Sequence, residues 1–171
     1  MTTQLSPEQT ESNYLARIGS LVGEIIQHGG FDLKSTVRKS DPAGEGPDAA
    51  AIVVDFEGPD SDLLLEKNAA LLDALEYVVL KAVRVDDDLY GRISFDCDGW
   101  RQVRAEELKL TALMAAKQAI ETGSPFHLTP MNSRERRIVH LALKGDTTVR
   151  TMSEGSGPSR KVVIYPATSP S

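Results

Sequence analysis

The chain has 171 residues, 40% hydrophobic and 26% charged, with a net charge of −6, as in a globular protein of one large or two small domains. No apolar run reaches the roughly 20 residues of a membrane-spanning helix, and no basic start precedes an apolar stretch, so we expect a cytoplasmic protein without membrane insertion. The single cysteine, Cys97, excludes an internal disulfide and a cysteine-based zinc site.

The first half of the chain predicts the element order α-β-β-α-β. Residues 1–12 are polar and predict a disordered tail. Apolar residues from Tyr14 to Ile26 recur at helical spacing, and two glycines end that helix. The remaining predicted elements are a strand over 31–37, a loop over 40–48, a strand over 50–56, a helix over 62–81, a turn at 86–88 and a strand over 92–95.

The second half predicts the order α-β-α-β-β. A helix is expected after Asn132, which as the N-cap would form a capping box with Glu135. On this helix Ile138, Leu141 and Ala142 are expected to face the core. The other predicted elements are a helix over 101–121, a short strand over 126–128 and two strands over 147–153 and 160–165.

Charge is distributed unevenly between the two halves. Residues 1–100 contain 8 Lys and Arg against 19 Asp and Glu, whereas residues 101–171 contain 11 against 6. Such asymmetry suggests a polyanionic partner for the C-terminal half alone. Chance clustering of basic residues on a solvated face explains the charge equally well.

The helix after Asn132 carries the most specific basic pattern. Arg136 and His140 are one turn apart and share a face, with Arg137 on an adjoining strip. Arginine can bind a phosphate through two hydrogen bonds, and histidine can donate to a phosphate or stack on a base. The alternative is a half-buried, hydrogen-bonded His140 beside arginines paired with carboxylates. Further basic residues expected to extend the same positive surface are Arg134, Arg150, Arg160 and Lys161.

Two segments of this half together resemble a known domain. PMNSRERRIVHLAL followed by SEGSGPSRKVVIYP resembles the R-3-H domain, named for its Arg-x-x-x-His pair, which binds single-stranded nucleic acid. The resemblance runs over residues 99–166 and puts Arg136 and His140 at the named positions. It implies that residues 99–171 form a small α/β domain with a short mixed sheet and two helices.

The preceding segment resembles a second domain of the same family. LLLEKNAALLDALEYVVLKAV followed by RISFDCDGWR is similar to the KH domain of bacterial Jag proteins, which join a KH domain to an R-3-H domain and are regarded as RNA-binding. A KH domain clamps the nucleic-acid backbone with a Gly-x-x-Gly loop. Because both glycines are absent, we predict that residues 13–98 form a degenerate KH-like domain whose loop does not bind nucleic acid. The four loop positions are Glu66, Lys67, Asn68 and Ala69.

The resemblance implies an α+β protein that binds single-stranded RNA or DNA, with RNA expected, mainly through its C-terminal domain. No catalytic triad, carboxylate pair or phosphate loop is recognisable, so we expect no enzyme and no cofactor. The aspartates at 86–88 are more typical of a solvated turn than of a metal site. The alternative is a protein-interaction adaptor in cell-envelope or elongation control, with vestigial nucleic-acid binding. By resemblance, its partner would be a small KH-domain protein or the cell-elongation machinery; the oligomeric state stays open.

Overall fold

The computed structural model describes residues 7–40 and 50–167, with side chains described from residue 11 onward. The chain divides into two compact units, one ending at Trp100 and the other beginning at Arg101. The first six elements are α1 (Pro7–Gly29), β1 (Lys34–Lys39), β2 (Ile52–Glu57), α2 (Ser61–Val83), α3 (Asp87–Tyr90) and β3 (Ile93–Cys97). Those that follow are α4 (Trp100–Thr122), β4 (Phe126–His127), α5 (Ser133–Ala142), β5 (Val149–Glu154), a 3-10 turn (Gly157–Ser159) and β6 (Lys161–Pro166).

The predicted α+β class is confirmed, with α3 and the 3-10 turn added to the predicted order. The predicted loop over 40–48 lies, after Ser40, outside the described residues. Within the described ranges, none of the helices is long and apolar enough to cross a membrane.

The N-terminal unit is built on a three-stranded sheet with the order β1-β2-β3. The first two strands are antiparallel, with Lys34 opposite Glu57, and β3 runs parallel to β2, with Ile52 opposite Ile93. Alternate residues of β2 and β3 are buried, which is the pattern of strands with one covered face. Helices α1 and α2 supply the covering side chains, including the fully buried Ile18, Val22, Leu72 and Val79.

The predicted disordered tail is wrong for residues 7–12, which form the first turns of α1. Proline is favoured at the start of a helix because its fixed φ is helical and its missing N–H would have had no partner there. The carboxylate of Glu11 also forms an ion pair of 3.4 Å with Lys39 at the end of β1. The early turns are therefore tied to the sheet although they carry few apolar side chains.

The helix predicted over 62–81 is interrupted in its first third. Glu66 is extended, with ψ of 148°, and the next three residues have left-handed backbones, with φ of 52° at Lys67, 60° at Asn68 and 58° at Ala69. Leucines continue at helical spacing on both sides of this break, so the apolar pattern alone does not reveal it. The interruption falls on the four positions at which the KH resemblance expects its glycine loop.

The aspartates at 86–88 do not form the simple turn that their composition predicts. Asp87 and Asp88 open the one-turn helix α3, where carboxylates are favoured by the helix dipole. The carboxylate of Asp86 accepts a hydrogen bond of 2.9 Å from the Tyr14 hydroxyl. Among the described residues, no group of three or more His, Cys, Asp or Glu side chains could hold a metal ion.

The second unit has an antiparallel sheet with the order β4-β6-β5, so β6 is central and β5 lies at an edge. The predicted mixed sheet is wrong for this unit, because both strand pairs are antiparallel. Helix α4 buries one face against this core and α5 contributes the fully buried Val139. The predicted burial of Leu141 is wrong, because its side chain is 49% exposed. Because Glu135 is buried, α5 is rotated so that the helix face with Glu135 and Val139 packs against the core and Leu141 does not. The buried residues of α4 are Leu108, Ala112, Ala115, Ala116 and Ala119.

Candidate nucleic-acid interface

The start of α5 is fixed by the predicted capping box. The side-chain oxygen of Asn132 accepts from the Glu135 backbone N–H at 2.9 Å, and Glu135 Oε2 accepts from the Asn132 N–H at 3.1 Å. The other oxygen of Glu135 accepts from Arg104 Nε of α4 at 2.8 Å. Both oxygens of this carboxylate, which is only 6% exposed, are therefore satisfied, as a buried charge requires.

Arg136 folds back over the first turn of its own helix. Its Nη1 donates to the Met131 carbonyl and its Nη2 donates to the Ser133 hydroxyl, each at 2.9 Å. Both of these acceptors are neutral, so they orient the guanidinium without neutralising its charge. The result is a positive group held in a defined position at the start of α5.

His140 bridges α5 to the edge strand. Its Nδ1 lies 2.6 Å from the Thr151 hydroxyl and its Nε2 lies 2.9 Å from the Ser153 hydroxyl, both on β5. The ring is half-buried. The alternative of a half-buried, hydrogen-bonded histidine is therefore the arrangement that the structure shows, and a hydrogen bond between a ring nitrogen and a ligand would require one of these bonds to break.

Burial, and after it the charge of Arg136, lower the pKa of His140 below its ordinary value of 6.5. A neutral imidazole has one N–H donor and one acceptor nitrogen. His140 therefore donates to one strand hydroxyl and accepts from the other. The hydroxyl that receives the ring proton keeps its own hydrogen available for another acceptor.

The hairpin places Arg150 and Lys161 on the other face of the sheet. Side chains alternate along a strand, and Thr151 and Ser153 contact α5, so Arg150 and Glu154 face away from α5. Their partners on β6 are Tyr165 and Lys161 respectively. The single positive surface expected from the sequence is therefore divided between two faces.

The face of this sheet that points away from α5, its outer face, has its own side-chain network. The Arg150 guanidinium lies 4.9 Å from the centroid of the Tyr165 ring, within the range of a cation–π contact. The Tyr165 hydroxyl donates to Glu154, and this hydrogen bond raises the pKa of Tyr165. Arg150 is thus oriented by an aromatic ring, and the acidic Glu154 reduces the positive field of this face.

The remaining predicted basic residues lie at different places around α5. Arg134 precedes Arg136 by two residues, about 200° around the helix, so it lies on the opposite flank. Arg137 is exposed on the solvent side. Arg160 precedes β6, and its carbonyl accepts from the Met131 N–H at 3.1 Å, which brings it to the same end of α5 as Arg136.

The degenerate loop of the N-terminal unit presents polar side chains to solvent. Glu66, Lys67 and Asn68 are exposed, whereas Ala69 is fully buried and anchors the turn. The loop has a left-handed main chain from Lys67 to Ala69 without any glycine. An exposed carboxylate stands at its first position.

Four contributors to the site were missed from the sequence. Thr151 and Ser153 could have been found as polar residues two apart on the strand face that begins with the buried Val149. Ser133 lies one turn before Arg136, at a spacing that suggests a contact. Arg104 carries no local signal, because it is 31 residues from Glu135.

Comparison with known families shows which domain the C-terminal unit resembles. A family model of the R-3-H domain matches residues 106–166, which contain most of α4, all of α5 and the whole second sheet. The C-terminal unit contains an R-3-H domain. The resemblance based on Arg136 and His140 is confirmed, and both residues lie inside the matched range of the R-3-H domain.

Curated relatives match a longer part of the chain. The RNA-binding protein KhpB of Clostridium symbiosum is 37% identical over 111 residues, which are 65% of this chain and 50% of that protein. KhpB of Bacillus subtilis is 33% identical over 109 residues, 63% of this chain and 52% of that protein. KhpB of Lactiplantibacillus plantarum is 32% identical over 111 residues, 65% of this chain and 34% of that protein. The predicted relationship to the Jag family is confirmed, and this chain spans about half the length of these relatives or less.

Proposed function

We propose that this chain binds single-stranded nucleic acid, with RNA as the expected ligand, through the flank of α5 that carries Arg136 and His140. The observation that carries the proposal is the guanidinium of Arg136, held by two neutral oxygens that leave its charge in place. Phosphate contacts of arginine and hydroxyl groups supply much of the affinity in nucleic-acid complexes. Ser133, Thr151 and Ser153 provide hydroxyls close to the two named residues.

In this proposal Arg136 binds phosphate directly and His140 acts mainly by positioning the hydroxyls of β5. Arg160 would add a second positive charge at the same end of α5. Arg137 would contribute from the solvent side, and Arg134 would act only if the strand wraps around the helix. The outer-face residues Arg150 and Lys161 would contribute less than the sequence suggests.

The geometry supports binding more than catalysis, although Ser153 and His140 have the separation of a nucleophile and its base. In catalytic triads a carboxylate orients the imidazole and stabilises its positive form. Here a neutral hydroxyl, that of Thr151, takes that place, and burial and Arg136 both disfavour the protonated ring. We therefore infer a non-enzymatic protein, and we propose a cytoplasmic location on the basis of the sequence alone.

The names of the relatives support RNA as the ligand and give no support to the adaptor alternative. For the N-terminal unit, we infer a KH-like domain whose loop does not hold nucleic acid. An exposed carboxylate at the first loop position would repel a phosphate 4 Å away by about 1 kcal/mol even in water. Left-handed backbones at the three following positions support the inference that the loop is still present although its two glycines have been replaced.

The test is fluorescence anisotropy of the full chain with labelled RNA and DNA oligonucleotides of equal sequence, over a salt series from about 0.05 to 0.2 M. Replacing Arg136 and His140 together by alanine should lower the affinity at least about tenfold, the ratio that corresponds to 1.4 kcal/mol. Thermal unfolding of the same variant separates a loss of binding from a loss of folding.

The matched control is Lys67→Ala, which removes one exposed positive charge from the degenerate loop. We expect its affinity to equal that of the parent. If the double variant binds as tightly as the parent while Lys67→Ala does not, the interface lies on the N-terminal unit and the assignment to α5 is wrong.

A further inference from the structure

Helix α4 has a second apolar face that the R-3-H core does not use. Val103 is 59% exposed, Leu110 62%, Leu113 53% and Ile120 46%. Large apolar side chains scattered singly on a surface need no explanation, but several of them aligned in a stripe on one helix face indicate an interaction surface. These four residues lie on one helix, on the side away from its buried alanines.

The spacing of this stripe is that of a coiled-coil seam. Val103, Leu110 and Lys117 are seven residues apart, and so are Glu106, Leu113 and Ile120, which follow the first set by three. These are the a and d positions of a heptad repeat. The six positions run about 26 Å along the helix at 1.5 Å per residue. Two of them are charged, and both charges are exposed.

Two copies of the stripe complement each other when they run in opposite directions. In an antiparallel helix pair, each a position faces a d position of the partner. A two-fold axis between residues 111 and 112 brings apolar side chains together in four layers and opposite charges together in the other two. The facing pairs are Val103 with Ile120, Leu110 with Leu113 and Glu106 with Lys117, each occurring twice.

We propose that α4 is a self-association surface on which a second copy of this chain packs antiparallel. A parallel, in-register pair would instead oppose Glu106 to Glu106 and Lys117 to Lys117, which disfavours it. Each charge already has a surface partner on its own helix, Lys109 at 2.7 Å and Glu121 at 3.8 Å. Exposed ion pairs of this kind contribute little to stability, so little free energy is lost when the two charges form contacts across the dimer instead.

The occupant is a second copy because the stripe supplies its own complement in both hydrophobicity and charge. An isologous two-fold contact needs a surface that matches itself, and most dimers are of this type. The buried face of α4 consists largely of alanines, so the helix can pack on its own core without using the leucines of the stripe. This assignment is independent of whether nucleic acid is the ligand of α5.

Sedimentation velocity of the full chain between about 1 µM and 0.1 mM tests self-association. We expect a concentration-dependent shift from monomer to dimer. Leu110→Glu should raise the dissociation constant at least about tenfold. Leu141→Glu is the matched control, because Leu141 is a similarly exposed leucine on α5, and it should dimerise like the parent.

A charge exchange tests the antiparallel register. Glu106→Lys and Lys117→Glu should each weaken the dimer, because each opposes like charges in two layers. Mixed together, the two variants should form a heterodimer with opposite charges in both layers, and a chain carrying both changes should regain parental affinity. A parent that stays monomeric throughout, a dimer insensitive to Leu110→Glu, or a mixture no stronger than its components would each overturn the proposal.

Discussion

Arg104 of α4 and Glu135 of α5 form an ion pair of 2.8 Å in which the carboxylate is almost completely buried. Glu135 also closes the capping box at the start of α5. One carboxylate thus fixes both where the helix begins and how it is rotated against α4. The position of Arg136, one residue further on, depends on this arrangement.

Glu135→Gln should destabilise the C-terminal unit by about 2–4 kcal/mol, because it removes the buried carboxylate of the pair and leaves the largely buried Arg104 guanidinium with the exposed Glu107 in place of a buried counter-charge. Urea unfolding measures the change. Glu107→Gln is the control, since Glu107 is 59% exposed and its distance to Arg104 is 3.3 Å. The control should cost less than about 0.5 kcal/mol. Equal costs for the two changes would contradict the special role of the buried pair.

Glycine should have opposite effects in the degenerate loop and in the helix that follows it. Lys67 has φ of 52°, a conformation that costs a non-glycine residue about 1 kcal/mol, so Lys67→Gly should leave stability unchanged or raise it by up to about 1 kcal/mol. Ala74 lies inside the helical segment that follows the loop and is exposed, so Ala74→Gly should lower stability by about 1 kcal/mol. Thermal unfolding of both variants gives the signs. A clear loss of stability with Lys67→Gly would mean that the left-handed turn is not strained.

The stability of the C-terminal unit should depend on the protonation of His140. Its pKa is lowered in the folded chain, so its contribution is complete above the unfolded pKa of 6.5 and is lost as the pH falls below that value, through the lower folded pKa. Urea midpoints at about pH 7.5 and pH 5.5 measure this loss. His140→Gln should remove that part of the dependence. An unchanged pH profile in the variant would show that other groups cause it.

Salt dependence should distinguish the two faces of the sheet. If the strand lies along α5, Arg136→Gln and Arg160→Gln should each lower the affinity and reduce the salt slope by about 0.7 for every phosphate that the variant no longer binds. Arg150→Gln on the outer face should change the slope little. Binding curves at several salt concentrations give the slopes. A large effect of Arg150→Gln together with no effect of Arg136→Gln would put the ligand on the outer face.

The parts of the structure that local rules govern could be predicted from the sequence. The capping box of Asn132 and Glu135 depends on residues three apart, and the order of helices and strands follows from apolar periodicity. The burial of Glu135 could not be predicted, because its partner Arg104 is remote in sequence. The bonds of His140 to β5 depend on how the hairpin packs against α5. The left-handed run from Lys67 to Ala69 was hidden because the leucine pattern continues through it.

The chain of hydrogen bonds from Thr151 through His140 to Ser153 can run in either direction. With the ring proton on Nδ1, Ser153 donates to the ring and the hydrogen of Thr151 points elsewhere; with the proton on Nε2, the two hydroxyls exchange roles. This tautomeric exchange moves no heavy atom. A rigid site can thus offer its free donor at either of two places on β5, and an approaching acceptor selects which one.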